Sequence, residues 1–327
     1  MSNSAHGVAR HTPDRPPTGS HAPAGWDELQ IVRRFRAMNT HIELHAMQPR
    51  YAFLLAGAEA IIQDVEARFS RFDPASELSR FNARGDASFV ASSEMIALVM
   101  LALTMHRRTR RVFDPAILPG LEAAGYDRSF ELVARDGVAS SRSSGVASSI
   151  AAIAIRGDAI MAPTELRIDL GGIGKGYAVD LAGTHLRPAG DYLISAGGDM
   201  FAAGNGPGGD GWLASVAPAP GDAPRSIVRL HDEALATSTT AVRTWQRDGE
   251  RRHHVIDPRT QRPCESGVTA VSVIAPSAVE ADVFAKTALM LGVEGGTEFL
   301  ASQHTSGFFI GDDGRAIPTP DWPGTIA

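Results

Sequence analysis

The sequence is poor in cysteine and in long apolar runs, and both shortages exclude classes of protein. Among 327 residues, Cys264 is the only cysteine, which rules out a disulfide framework and a cysteine-rich zinc site. No apolar stretch approaches the roughly 18 residues of a membrane-spanning helix. We therefore expect a globular protein without a membrane span.

Lysine is also scarce. The 31 basic residues include only two lysines, Lys175 and Lys286. A bias of the whole genome towards arginine would explain this count. Alternatively, these two positions need a compact ammonium group that a planar guanidinium cannot replace.

The overall charge gives no sign of nucleic-acid binding, because the formal net charge is -6 and the isoelectric point is near 6.0. The apolar share of 43% is that of a folded globular chain and supplies enough material for a core. Together these values indicate an ordinary globular protein.

The N-terminal segment 1–26 is rich in Pro, Gly, Ser and His and has no apolar periodicity, which predicts a disordered tail. It has no apolar signal region and no cysteine for a lipid anchor, so we expect a cytoplasmic location. The remaining residues, 27–327, are predicted to form one domain. A Gly/Ser/Ala-rich stretch near 138–150 is a possible subdomain joint.

Hydrophobic periodicity predicts an α+β fold, since the strands cluster with short turns instead of alternating regularly with helices. A strand pair is predicted over 31–46, with a break at 38–40, and helices over 52–72, 93–110, 278–291 and 294–302. Further strands are predicted at 166–170, 192–196, 213–216, 227–230, 254–256, 268–274 and, as the last one, 308–310.

The segment RIDLGGIGKGYAVD (167–180) combines an acid, four glycines and a lysine at the start of a predicted helix. Amide groups at a helix N-terminus together with one ammonium group suit a pyrophosphate. The spacing fits neither a Walker motif nor a dinucleotide fingerprint. A tight turn with an exposed lysine is the alternative.

The segment RHHVIDPRTQRP (252–263) contains two adjacent histidines at the start of a predicted strand. His254 could act as a general base, because a neutral imidazole is available near pH 7. A solvated histidine on a surface strand is equally compatible with the sequence.

Asp282 and Lys286 lie four residues apart in a predicted helix. The carboxylate could bind a hard cation such as Mg²⁺. An ordinary surface salt bridge between the two side chains is the simpler interpretation.

Eight segments taken in order resemble the ApbE family of FAD:protein FMN transferases. These are AMNT (37–40), SRFDPASELSRFN (70–82), FDPAILP (113–119), DLGGIGKGYAVD (169–180), SAGGD (195–199), ATS (236–238), HHVIDPRTQRP (253–263) and ADVFAKTALMLG (281–292). They extend over nearly the whole chain after the N-terminal tail.

The resemblance implies an ApbE-like α+β fold and a protein that binds FAD and cleaves its pyrophosphate with Mg²⁺. FMN would pass to a threonine or serine hydroxyl of an acceptor protein, with AMP as the leaving group. By position, His254 would be the base for that hydroxyl. The residues implied to contact FAD are Met38, Phe72, Ala116, Ile117, Leu118, Asp169, Lys175 and Ile256.

The metal positions implied by the resemblance are the backbone carbonyl of Gly172, the Asp282 side chain, and residues 285 and 286. Here the sequence departs from the family, because these last two are Ala285 and Lys286, where a threonine is common at the latter. Thr287 lies about 100° further round the helix and cannot stand in. Either the Lys286 ammonium takes the cation's position, or FAD binds without efficient transfer.

Two other functions stay open at this point. Water could replace the acceptor hydroxyl, which would make the protein an FAD pyrophosphatase that releases FMN and AMP. The chain could also be a non-catalytic FAD-binding protein that stores or delivers flavin.

Overall fold

The computed structural model describes residues 30–133, 136–137, 148–216, 224–247 and 249–326. The predicted N-terminal tail, 1–26, and residues 138–147 of the predicted joint lie outside these ranges. The helices are α1 (Ala52–Phe69), α2 (Glu77–Asn82), α3 (Ser93–Arg108), α4 (Leu118–Ala123), α5 (Gly174–Leu186) and α6 (Ala278–Ser302).

The strands are short and follow one another in groups. They are β1 (Ile31–Ala37), β2 (Thr40–Ala46), β3 (Ser88–Val90), β4 (Asp136–Gly137), β5 (Ala154–Arg156), β6 (Ala159–Met161), β7 (Tyr192–Ala196), β8 (Asp199–Ala203), β9 (Trp212–Val216), β10 (Ser226–Leu230), β11 (Glu233–Thr239), β12 (Thr244–Arg247), β13 (Glu250–His253), β14 (Ile256–Asp257), β15 (Arg262–Pro263), β16 (Val268–Ala275), β17 (Ser306–Gly311), β18 (Ala316–Pro318) and β19 (Thr325–Ile326).

The centre of the fold is an antiparallel sheet with the strand order β1-β2-β7-β8-β11-β16-β17-β18. Side chains alternate between its two faces. Ala234 and Ala236 of β11 pack with helices α5 and α6 in the main core, whereas Leu235 packs in a second core with Trp212 and Phe308. Helices and a small sheet therefore cover opposite faces, and the predicted α+β class is confirmed.

Helices α5 and α6 approach each other closely at their N-terminal halves. A Cβ atom at Gly176 would lie 2.6 Å from the carbonyl oxygen of Ala278, so the backbones can meet only because this residue is glycine. The Asp180 carboxylate accepts hydrogen bonds from the amides of Ala278 (2.8 Å) and Val279 (3.0 Å). The start of α6 is thereby fixed to α5, which sets the relative positions of their side chains.

Helix α6 contains the predicted break. Gly292 has φ 74° and ψ -175°, which interrupts the helical backbone between the two predicted helices. Only glycine adopts such a left-handed φ at little cost. The prediction of two helical segments divided at this residue is confirmed.

Residues 166–170 do not form the predicted strand. The Asn82 side chain instead pairs with both backbone groups of Ile168, at 2.9 Å to its amide and 2.8 Å to its carbonyl oxygen. The amide of Asp169 donates to the carbonyl oxygen of Pro115 at 2.8 Å. Apolar and charged residues alternate in this segment, as in a strand, but loop and side-chain groups satisfy its backbone.

Two other strand predictions are wrong in detail. Of the predicted strand 254–256, only Ile256 lies in a strand, because β13 ends at His253 and β14 begins at Ile256. The strand over 308–310 exists as part of β17 but is not the last one, since β18 and β19 follow it. Among the helices of the described ranges, none combines the length and the apolar character needed to cross a membrane.

Candidate functional site

Two lysines and two aspartates form a cluster where α5, β8 and α6 come together. Lys175, the second residue of α5, donates to Asp199, the first residue of β8. Lys286 donates to Asp282 one turn earlier in α6. The exposed fraction is 0% for Asp199 and 1% for Asp282. The two lysines of the sequence are therefore both held by buried carboxylates. Asp282 and Lys286 do form an ion pair, but the carboxylate is buried, so the simpler interpretation of a surface salt bridge does not hold.

The turn before Asp199 explains how this carboxylate reaches α5. Gly197 (φ 71°) and Gly198 (φ 153°) connect β7 to β8 in backbone conformations that disfavour other residues. Asp199 pairs with Ala236 across the sheet, and Ala236 belongs to the core on the helix side. The SAGGD segment thus places an acid beneath the N-terminus of α5.

One oxygen of each buried carboxylate lacks a partner within the described part of the chain. These atoms are Oδ1 of Asp199 and Oδ2 of Asp282. The pKa of Lys175 is lowered to about 8, mainly by burial. The charges of Lys286 and Arg243 act in the same direction, and the charge of Asp282 opposes them. The cluster therefore holds two ammonium groups against two carboxylates, and the ammonium group of Lys175 is strongly desolvated.

His254 borders this cluster. Burial lowers its pKa well below the usual 6.5, and the charges of Arg243, Lys286 and Lys175 contribute in the same direction. Among the described residues its Nδ1 has no hydrogen-bond partner. The imidazole is consequently neutral at pH 7, with a nitrogen available to accept a proton.

We expect a bell-shaped pH dependence of kcat/KM for FAD cleavage. The acidic limb should lie below pH 6.5, because His254 stays an unprotonated base until the pH falls to its lowered pKa. The rate should decline again above about pH 8, where Lys175 loses its charge. Initial rates of AMP release from pH 5 to 10 test this, and an acidic midpoint above 6.5 would contradict the assignment of His254.

Asp169 lies beside a stack of aromatic rings. Its Oδ2 is 2.6 Å from Nε of Arg71, and its Oδ1 accepts the amide of Gly171 at 2.8 Å. The Arg71 guanidinium lies 4.1 Å from the ring centroid of Phe72 and 4.5 Å from that of Tyr126. Phe72 is 39% exposed. This edge of the site offers planar groups that suit a planar ring.

Met38 and Gly172 flank the N-terminus of α5. The Met38 Cε atom lies 3.8 Å from the position of a Cβ at Gly174, and the amide of Met38 donates to Glu66 at 2.7 Å. A Cβ at Gly172 would lie 3.6 Å from the Cδ and Cε atoms of Lys286. The structure therefore brings Met38, Gly172, Lys175 and Lys286 to one place.

The predicted contacts Ala116, Ile117, Leu118 and Ile256 lie in a neighbouring layer. The carbonyl oxygen of Ala116 accepts from Gln261 at 3.2 Å, and Ile117 precedes the first residue of α4, Leu118. Ile256 is buried in a small core with Trp245. Their contact with FAD stays a prediction, because Ile256 and Leu118 are buried by protein.

The residues at the implied metal position do not fit a divalent cation. The Lys286 ammonium donates a hydrogen bond to Oδ1 of Asp282, and Ala285 has no side-chain atom that could bind a metal. Thr287 is turned away, since its hydroxyl donates to the carbonyl oxygen of Val283 at 2.8 Å. Within the described residues, no group of three His, Cys, Asp or Glu side chains could hold a metal ion.

Sequence reasoning missed two residues of this site as individual participants. Asp199 was only part of a short motif, although an acid directly after two glycines is a usable signal. Arg71 had no signal, because its partners Asp169 and Tyr126 are distant in sequence. Only the folded chain brings Arg71, Asp169 and Tyr126 together.

Comparison with known proteins gives consistent matches. The family model described as ApbE family matches residues 38–309. An FAD:protein FMN transferase of Vibrio cholerae is 27% identical over 246 residues, covering 73% of each chain. One of Klebsiella pneumoniae is 27% identical over 282 residues, covering 81% of this chain and 80% of the relative. The solved structure of the flavin transferase ApbE from Vibrio cholerae aligns with a TM-score of 0.76 at 24% identity, over 89% of this chain and 97% of the other.

Proposed function

The chain belongs to the ApbE family, and on this basis we propose that it is an FAD:protein FMN transferase. It would cleave the FAD pyrophosphate and transfer FMN to a threonine or serine hydroxyl of an acceptor protein, with release of AMP. The observation that carries the proposal is a neutral His254, whose Nδ1 has no partner among the described residues, beside the partly buried ammonium groups of Lys175 and Lys286.

The ammonium groups of Lys175 and Lys286 provide positive charge for binding a pyrophosphate. Lys175 is the second residue of α5, so its charge lies near the positive end of that helix's dipole. The buried carboxylates fix both lysines in place before substrate arrives. Fixed charges that need no reorganisation stabilise the charge that develops on phosphate oxygens during transfer.

His254 is proposed to take the acceptor's proton. The acceptor oxygen attacks the phosphorus of the FMN half, and the bond from this phosphorus to the bridging oxygen breaks. The bridging oxygen leaves with its electron pair on AMP, while the hydroxyl proton passes to the imidazole. Met38, Phe72 and Asp169 are proposed to hold the bound FAD in place.

We propose that the Lys286 ammonium takes the position of the Mg²⁺ implied by the family resemblance. The support is its contact with Asp282 and its closeness to Gly172, the two groups expected to hold a metal. An ammonium group carries half the charge of Mg²⁺ and offers no coordination geometry. A slow enzyme is therefore expected.

The first test is AMP release from FAD by the purified protein, in EDTA and with added Mg²⁺. We expect release in both conditions, with little stimulation by Mg²⁺, because Lys286 already neutralises the site. Release that depends strictly on Mg²⁺ would overturn the role of Lys286 while supporting the transferase. Absence of release with FAD bound, also after addition of a threonine- or serine-containing acceptor, would favour the non-catalytic flavin-binding protein.

The variant Lys286→Thr sharpens this test, because it removes the ammonium and restores the residue common in the family. We expect it to become strongly stimulated by Mg²⁺. An unchanged response to Mg²⁺ would contradict the proposal that Lys286 replaces the metal. Arg315→Lys, at a highly exposed side chain, serves as the control.

A covalent product distinguishes the transferase from an FAD pyrophosphatase. A transferase adds the mass of FMN to a threonine- or serine-containing acceptor, whereas a pyrophosphatase yields free FMN. The cytoplasmic location, the single domain over 27–327 and the absence of nucleic-acid partners stay predictions.

A further inference from the structure

The Arg71 guanidinium uses only part of its hydrogen-bonding capacity. Its Nε atom is 2.6 Å from Oδ2 of Asp169, but the second oxygen, Oδ1, accepts the amide of Gly171 instead. The carboxylate therefore does not form the bidentate pair that arginine commonly makes. Nη2 of Arg71 is buried without a hydrogen-bond partner in the described ranges, and the side chain is only 7% exposed.

The surroundings of Arg71 are aromatic and layered. Its guanidinium lies over the rings of both Phe72 and Tyr126, which are themselves 5.7 Å apart between centroids. Tyr126 continues the stack onto Trp245, at 5.5 Å. Phe72 is the most exposed member, so the outer end of the stack is open to a ligand.

A buried guanidinium nitrogen without an acceptor is unfavourable, because the ion pair with Asp169 and the two ring contacts replace only part of the lost hydration. Such a donor is retained where a ligand supplies the acceptor. We infer that Nη2 of Arg71 donates to a ring nitrogen or carbonyl oxygen of a heteroaromatic ring of FAD bound at this aromatic stack. This inference rests on the proposed function, because it concerns the same substrate.

Asp169 links the proposed contact between Arg71 and the FAD ring to the start of α5. It joins Arg71 to Gly171, three residues before the first residue of α5. Ring binding at Arg71 is therefore linked by one carboxylate to the turn that precedes Lys175. Arg71 acts as a specificity-determining residue, which selects dinucleotides carrying ring acceptors and aligns them with the pyrophosphate site.

The test is FAD binding to the variants Arg71→Lys and Arg71→Met, measured by fluorescence titration together with the absorption spectrum of the bound flavin. Arg71→Lys keeps the charge but lacks the separate Nη2 donor nitrogen, and we expect FAD affinity to fall at least about tenfold. Competition by AMP and by FMN shows which ring is recognised, since only the affinity for the recognised half should fall. An altered flavin spectrum would additionally assign the contact to the isoalloxazine ring.

Arg84→Lys is the matched control. Arg84 also lies over an aromatic ring, that of Phe81 at 3.9 Å, but its terminal nitrogens donate to backbone carbonyl oxygens. We expect this variant to lose stability without losing FAD affinity. If Arg71→Lys binds FAD, AMP and FMN as tightly as the unmodified protein, the inference is wrong and the proposed function stands. If the unmodified protein does not bind FAD, both fail.

Discussion

Replacing His254 with alanine is expected to lower the rate of AMP release from FAD by about 10²–10⁴-fold, the usual contribution of a general base. FAD affinity should change little, because the lysines and the aromatic stack remain. The variant should therefore have a lower kcat and a nearly unchanged KM. Steady-state kinetics and an FAD titration on the same preparation measure both quantities.

The neighbouring histidine supplies the control for this experiment. Nε2 of His253 lies 3.1 Å from the carbonyl oxygen of Cys264, which gives His253 a structural partner that His254 lacks. His253→Ala should therefore retain most of the activity. Equal losses in the two variants would show that the segment, not the His254 imidazole, matters for catalysis.

Replacing Lys175 with methionine is expected to affect both stability and activity. The Asp199 carboxylate, which is 0% exposed, would lose its cation. Removing one partner of a buried ion pair costs about 3–5 kcal/mol in the free energy of unfolding. FAD cleavage should also fall strongly, because one of the two ammonium groups at the pyrophosphate site is gone. Urea denaturation and AMP release measure the two effects.

The double variant Lys175→Met/Asp199→Asn separates these effects. It removes both charges, so most of the lost stability should return, while activity stays low. Recovery of activity along with stability would mean that Lys175 serves only to neutralise Asp199. Such an outcome would remove Lys175 from the proposed site.

Much of the fold follows from local pattern. The strand pair around Met38, the helices α1 and α3, the break at Gly292 and strands such as β7 and β16 agree with the periodicity of the sequence. Periodicity fails at residues 166–170, where the amides and carbonyls bond to Asn82 and Pro115 instead of to a neighbouring strand. The alternating pattern of residues 166–170 carries no information about which groups will form hydrogen bonds with their backbone.

The sequence by itself determined the α+β class and the family resemblance, because these depend on residue identity and spacing along the chain. It left undecided whether Asp282 and Lys286 form a surface pair or a site. That choice depends on burial, which arises only when α5 and α6 meet at Gly176. The tertiary structure likewise brought Arg71 to Asp169 and Tyr126, since contacts between residues so distant in sequence exist only after the chain has folded.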